Sequence, residues 1–510
     1  MKVNQYKAGA VLSYGAVAFN TVAGLIYTPW MISCIGADDY GLYTLALSVV
    51  NFFLLDFGLG DSVSRFLSKY YAEGKEDAVG MFLGIVYKTY IAITCLIAVA
   101  LVVVFFNIDG LYSGLTPEQM PVFKTLFVIV AFYSIFSFPF APLNGILTAN
   151  ERFVALNACN LIQKVLTVLL IVVTLLMGWG VVALVIVNAA VSVVTTLAKL
   201  VLVHRGTKAR ADLAGWDSGL AREVVGFSVW VMVGQVCQRF IFAVMPSIIA
   251  VMPSIIAITA TTSEVALFGL ASSLESYVYT VASALNGMFM PKVSRAVVGV
   301  GEGLQTLMVR FGRVQLYIIG FIEVCFFGLG GWFIQCWMGN GYDGLWLCTL
   351  LLIIPSLIEL PQLVGVTAIT AAGQVRAKAF VFLAMAACNV VLGFVLSVPL
   401  GALGGCLSIC IAYFLRTVGQ NVIYRNSLGI DLKSFFADTF GSWLLPAAVT
   451  LGVSIVLDRL FPVRGWSGLL LAGCLTAAVY SFLCWKLSMN EYERGLVISV
   501  ASKSKRARTR

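Results

Sequence analysis

The chain has 510 residues, 60% of them hydrophobic and only 11% charged, with a mean hydropathy of +0.96 and a formal net charge of +9. A soluble chain carries roughly 25% charged residues, so this one has too little polar surface to fold as a water-soluble domain. That excludes a soluble enzyme and leaves no room for a separate globular domain.

A helix needs about 20 apolar residues to cross a bilayer, because a backbone in hydrocarbon must satisfy its own hydrogen bonds. Fourteen such stretches follow in order: 8–33, 40–64, 79–106, 121–147, 155–177, 181–203, 224–258, 262–290, 314–338, 345–371, 377–398, 401–424, 439–457 and 466–487. The expected fold is therefore an all-α polytopic membrane protein. Met1 to Lys7 form a short basic flank, and the stretch after it is too long for a cleaved signal, so the first span is expected to stay as an anchor.

Connections between odd and even spans are nearly free of Lys and Arg, whereas the even-to-odd connections carry Arg65, Lys69, Lys75, Arg152, Arg205, Lys208, Arg210, Arg222, Lys292, Arg295, Arg310, Arg313, Arg376, Lys378, Arg425 and Lys433. By the positive-inside rule both termini are cytoplasmic and the protein sits in a bacterial inner membrane, with Lys124, Arg459 and Arg464 as the external exceptions. The positive charge is thus topological and implies no nucleic-acid partner. The 12 cysteines show no metal or redox spacing, and no metal or cofactor is expected.

A weak internal repeat is visible. Ser13 and Asn20 match Ser228 and Gln235 at equal spacing, and Gly41-Leu42-Tyr43-Thr44-Leu45-Ala46 lines up with Ala266-Leu267-Phe268-Gly269-Leu270-Ala271. Spans 7 and 8 read as a second copy of spans 1 and 2. With an even number of helices per copy, the pseudo-twofold axis runs along the membrane normal. The expected organisation is an N-lobe (1–204), a cytoplasmic linker (205–223), a C-lobe (224–424), two further helices (425–487) and a basic tail (488–510). Span 7 also carries a tandem AVMPSII, at 243–249 and again at 250–256. Seven residues add about 700° of rotation and roughly 10 Å, so the helical phase survives the insertion. A hinge at Pro246 and Pro253 and a tolerated duplication are both compatible with it.

Ile35-Gly36, Tyr40 to Tyr43, Asp56-Phe57-Gly58-Leu59-Gly60 with Arg65, Ser68, Tyr70, Ala72 and Gly74, then Asn144 to Phe153 and Trp337-Met338-Gly339, resemble the Wzx-type polysaccharide flippases of the multidrug/oligosaccharidyl-lipid/polysaccharide exporter superfamily. The resemblance runs the length of the chain. It implies movement of an undecaprenyl-pyrophosphate-linked oligosaccharide from the cytoplasmic to the periplasmic leaflet by alternating access, supplying O-antigen, capsule or exopolysaccharide assembly. Membrane lipids and a polysaccharide polymerase are the implied partners.

Ionisable groups inside spans need a partner, water or a task. Arg239, a turn beyond Gln235 in span 7, is a candidate for the lipid diphosphate, since a guanidinium binds phosphate oxygens bidentately. An ion pair with Glu275 is the other reading. Lys88 and Lys164 extend the cationic set, although both could snorkel to the interface. Asp61 and Arg65 form a local helix pair by spacing, and Arg416 is left unassigned. Span 8 carries a polar face of Ser272, Glu275, Tyr279, Ser283 and Asn286, where Ser272, Tyr279 and Asn286 are candidate sugar contacts. Asp56, Glu275 and Glu359, the last bracketed by Pro355 and Pro361, are the candidate ion-coupling carboxylates, with Glu323 behind them.

Gly339-x-Gly341-x-x-Gly344 matches a dinucleotide expression but has no strand before it. No catalytic constellation or large external loop is present, so an enzyme is not expected. A multidrug or cation antiporter, or a flippase for a peptidoglycan lipid precursor, are the alternatives on the same architecture.

Overall fold

The computed structural model describes residues 5–53, 76–112, 115–207, 240–249, 262–283, 303–372, 374–460 and 465–495, with isolated positions between them. Among the described residues the regular structure is helical, and ten helices are long and apolar enough to cross a membrane. One of the ten, Val375–Leu428, runs for 54 residues and contains both stretches expected at 377–398 and 401–424. It is two spans joined across a break at Gly401, whose φ of 53° and ψ of −130° no helix accommodates and an L side chain rarely adopts.

The helices stop where the sequence withdraws backbone donors or allows a reversal. Gln5–Ile35 ends at Gly36 and Ala37–Phe53 begins directly after it. Glu76–Phe106 gives way to a turn, and Gln119–Ser137 opens on a capping box in which Thr116 and Gln119 exchange side-chain-to-backbone bonds of 3.2 and 3.3 Å. Pro139 and Pro142 then break that span into a 3₁₀ turn and the short helix Pro142–Ala149. Glu151, with φ 55°, swings the chain into Phe153–Leu176, while the Arg152 guanidinium donates to the carbonyl of Gly206 at 2.8 Å, at the end of Val181–Gly206.

Two compact units result. The first comprises Met1–Leu270 and Ala379–Ala412; the second comprises Ala271–Lys378 and Tyr413–Arg510. In the first unit the early copy of the AVMPSII repeat is core: Met245, Ile248 and Ile249 are buried, and a Cβ on Gly393 or Gly405 would press on Met245. The later copy, 250–256, lies outside the described residues. Phe106 and Phe132, 76% and 74% exposed, show the opposite surface, apolar and lipid-facing. Lys124, one of the external exceptions in the charge pattern, is neutralised locally by Asp109 at 2.7 Å.

In the second unit Leu304–Met338 packs along Leu432–Leu460 and Trp466–Leu483. Gly320 gives Trp443 its place, Gly328 faces Ser454, and Gly312 faces the Pro361 carbonyl. Trp443 Nε1 donates to Tyr480 Oη at 2.7 Å, and Tyr480 Oη donates to the Tyr317 carbonyl at 3.1 Å. Each helix therefore satisfies a polar group on another inside an apolar core of Leu316, Val324, Ala447 and Cys484.

Candidate functional site

The second unit buries a charged centre. Pro355 and Pro361 interrupt the span that begins at Asp343–Ile353, leaving the short turns Ser356–Glu359 and Leu360–Gln362 before Leu363–Ala371 resumes. Neither proline can donate a backbone hydrogen, so a straight helix cannot persist, and the bend delivers Glu359 to the interior. There its carboxylate pairs with the Arg416 guanidinium; the two side chains are 5% and 0% exposed. Arg416 lies on Val375–Leu428 beyond the Gly401 break, and its guanidinium carbon stands 4.1 Å from the centroid of the Tyr413 ring.

Glu275 and Tyr279, on Thr262–Ser283, lie within electrostatic range of both members of that pair, as do Tyr424 and, from the first turn of Val375–Leu428, Lys378. The Tyr424 hydroxyl donates to the Gln362 carbonyl at 3.4 Å. Glu359 and Glu275 thus share one guanidinium, with the Lys378 amine in range of Glu359, in a low-dielectric interior ringed by tyrosines. There the gain or loss of a single proton or cation changes the local field strongly, because Coulomb energies scale inversely with dielectric constant. Glu323, on Leu304–Met338, is also buried and accepts the backbone N–H of Leu357 at the same proline break.

Of the residues singled out from sequence, the structure brings together Glu275, Tyr279 and Glu359. The Ser272 hydroxyl on the same helix is buried and has no hydrogen-bond partner among the described residues. Lys88 and Lys164 belong to the first unit: Lys88 Nζ donates to the Gly215 carbonyl at 2.9 Å, and Lys164 is exposed on Phe153–Leu176. Asp56, Gln235, Arg239 and Asn286 lie outside the described residues, as do Asp61 and Arg65. The sequence reading missed the role of Arg416, counted Lys378 only as a topological charge and did not weigh Tyr413. The signal was available: an arginine in an otherwise apolar span requires a counter-charge, and Tyr413 stands three residues before it on one helix face.

A polytopic helical bundle with a buried charge centre beside a broken span is an arrangement found in membrane transporters. In fold the chain is similar to the lipid II flippase MurJ in an inward closed conformation, at 15% identity and a TM-score of 0.71 over 93% of this chain and 98% of that one. It is also similar to an inward-facing multidrug resistance MATE family transporter of the MOP superfamily (14% identity, TM-score 0.61, 82% and 99% covered) and to a point mutant of the Vibrio cholerae MATE transporter VcmN (13%, 0.59, 83% and 97%). The fold is that of the exporter superfamily expected from the motifs. No curated protein matches the chain in sequence. The polysaccharide biosynthesis protein family matches residues 34–346, and the chain belongs to it.

Proposed function

We propose that the protein flips an undecaprenyl-pyrophosphate-linked oligosaccharide from the cytoplasmic to the periplasmic leaflet of a bacterial inner membrane, supplying O-antigen, capsule or exopolysaccharide assembly. Membership of the polysaccharide biosynthesis family in a flippase-type fold supports the substrate class. The observation that carries a transport cycle is the buried Arg416–Glu359 pair with Glu275 beside it. In this reading the centre is the ion-coupling site: Glu275 and Glu359 exchange a proton or cation, Arg416 holds the discharged state, and Asp56 is a further coupling acid. The oligosaccharide headgroup is met by the polar residues named from sequence: Arg239, Lys88 and Lys164 for the diphosphate, and Gln235, Ser272, Tyr279 and Asn286 for the sugars. The lobes 1–204 and 224–424 rock about the pseudo-twofold axis, with both termini cytoplasmic and a polymerase receiving the product.

The test is translocation of a fluorescent undecaprenyl-pyrophosphate oligosaccharide in proteoliposomes. Glu275→Gln is expected to lower the rate at least about tenfold while leaving substrate binding intact, and Arg239→Ala is expected to weaken binding itself. Full flipping by Glu275→Gln, at every imposed pH and sodium gradient, would remove the coupling role.

A further inference from the structure

At the lysine- and arginine-poor end of the first unit, the first turn of Thr262–Ser283 is held from three sides. The Thr262 hydroxyl donates to Asp38 Oδ1 at 2.5 Å, at the start of Ala37–Phe53, and accepts from Gln119 Nε2 at 3.2 Å. Gln119 is itself fixed by its capping box with Thr116. Two residues on, Glu264 Oε2 accepts the backbone N–H of Ala402 at 2.8 Å, at the break where Gly401 takes its positive φ. Thr262 is buried and Asp38 lies at the rim.

Backbone contacts below the polar layer make the closure tight. A Cβ on Gly41 would run into the Thr262 carbonyl, and a Cβ on Gly269 would stand 2.8 Å from Thr44 Cγ2. Thr44 and Gly269 are counterparts in the repeat alignment, and counterparts that touch each other must flank the axis relating them. The residues just beneath, Leu42, Leu45, Ala266 and Leu270, are 0–1% exposed. Tyr112 Oη to Ser247 Oγ, at 3.2 Å, adds a further tie at the same end.

We infer that Asp38, Thr262 and Gln119 form the latch of an external gate, closed in this state, which must open for the outward-facing half of the transport cycle. A hydroxyl shared between a carboxylate and an amide suits that task. Bonds to a charged acceptor are among the stronger hydrogen bonds in proteins, yet at the rim water replaces them on opening, so the closed state is favoured without being locked. Glu264 serves a different end: it ties the same first turn to the Gly401 break, so that the start of helix 262–283 and the start of the half-helix after Gly401 move together. The inference rests on the alternating-access reading of the proposed function but names no substrate, and its test needs none.

The test uses Ala266→Cys as reporter, one turn below the latch, in a background with the native cysteines replaced by serine, including exposed Cys34. In right-side-out vesicles, a membrane-impermeant maleimide is expected to label the reporter slowly, and Thr262→Val or Asp38→Ala to raise the rate about tenfold, the scale of one lost charge-assisted hydrogen bond. Thr262→Ser, which keeps the hydroxyl, is expected to label as slowly as the parent. Equal rates for Thr262→Ser and Thr262→Val would overturn the latch; faster labelling confined to inverted vesicles would overturn its external placement. Loss of lipid flipping with latch-dependent labelling intact would count against the substrate reading and leave the gate standing.

Discussion

Arg416 and Glu359 are each expensive to bury, and neither is tolerable there without the other. An ion pair withdrawn from water recovers little net stability over an apolar pair, whereas removing one member strands a buried charge at about 3–5 kcal/mol. Arg416→Met and Glu359→Gln are each expected to lower the unfolding midpoint in detergent by several degrees. The combined Glu359→Gln, Arg416→Met variant should recover much of that stability while its transport stays lost. Additive losses, measured by thermal shift on the three variants, would mean that the two charges are not coupled and would contradict the pair. At this scale the sequence was half legible. Glu275 and Glu359 stood out because carboxylates in apolar spans demand an explanation, and the two prolines around Glu359 marked the bend. That Arg416 answers Glu359 was not readable, since 57 residues separate them and only the packing of the two spans brings them together.

Among the elements, the intimate packing of Leu304–Met338 against Leu432–Leu460 depends on glycines at 312, 320 and 328, which face Phe435 and Thr439, Trp443, and Ser454 in turn along that helix. Close approach replaces the hydrophobic driving force that lipid does not supply between helices. The far end of the same assembly is fastened by Arg313, which donates to Glu493 Oε1 at 2.5 Å, the Asp438 carbonyl at 2.7 Å and Ser442 Oγ at 2.9 Å, while Arg310 stacks over Tyr492 at 4.2 Å. Gly320→Val is expected to drive Trp443 off its site and cost about 1–3 kcal/mol, the usual penalty of overpacking. Thermal unfolding with intrinsic tryptophan fluorescence checks this; an unchanged midpoint would mean the interface is slack. Among the described residues, ten helices long and apolar enough to cross a membrane were legible from hydropathy, because apolar length is a one-dimensional property. What hydropathy did not reveal was that Arg313, counted only as a topological charge, is consumed by a carboxylate 180 residues away.

For the whole molecule, the fold followed from composition and the family from short motifs at turns, where backbone conformations such as those at Gly36 and Glu151 restrict the residues allowed. Function at this scale is the hardest to read from residues, because chains similar in fold include both a lipid II flippase and a multidrug resistance transporter. The discriminating chemistry is charge: a diphosphate headgroup calls for cationic side chains, and a drug-like cation for acidic or aromatic ones. The most direct measurement therefore puts both substrate classes before one preparation. In proteoliposomes holding the wild-type protein, a labelled undecaprenyl-pyrophosphate oligosaccharide is expected to cross leaflets at a protein-dependent rate that responds to an imposed ion gradient, while a lipophilic organic cation such as ethidium is not transported. Gradient-driven ethidium transport, with no movement of the lipid-linked sugar, would contradict the account.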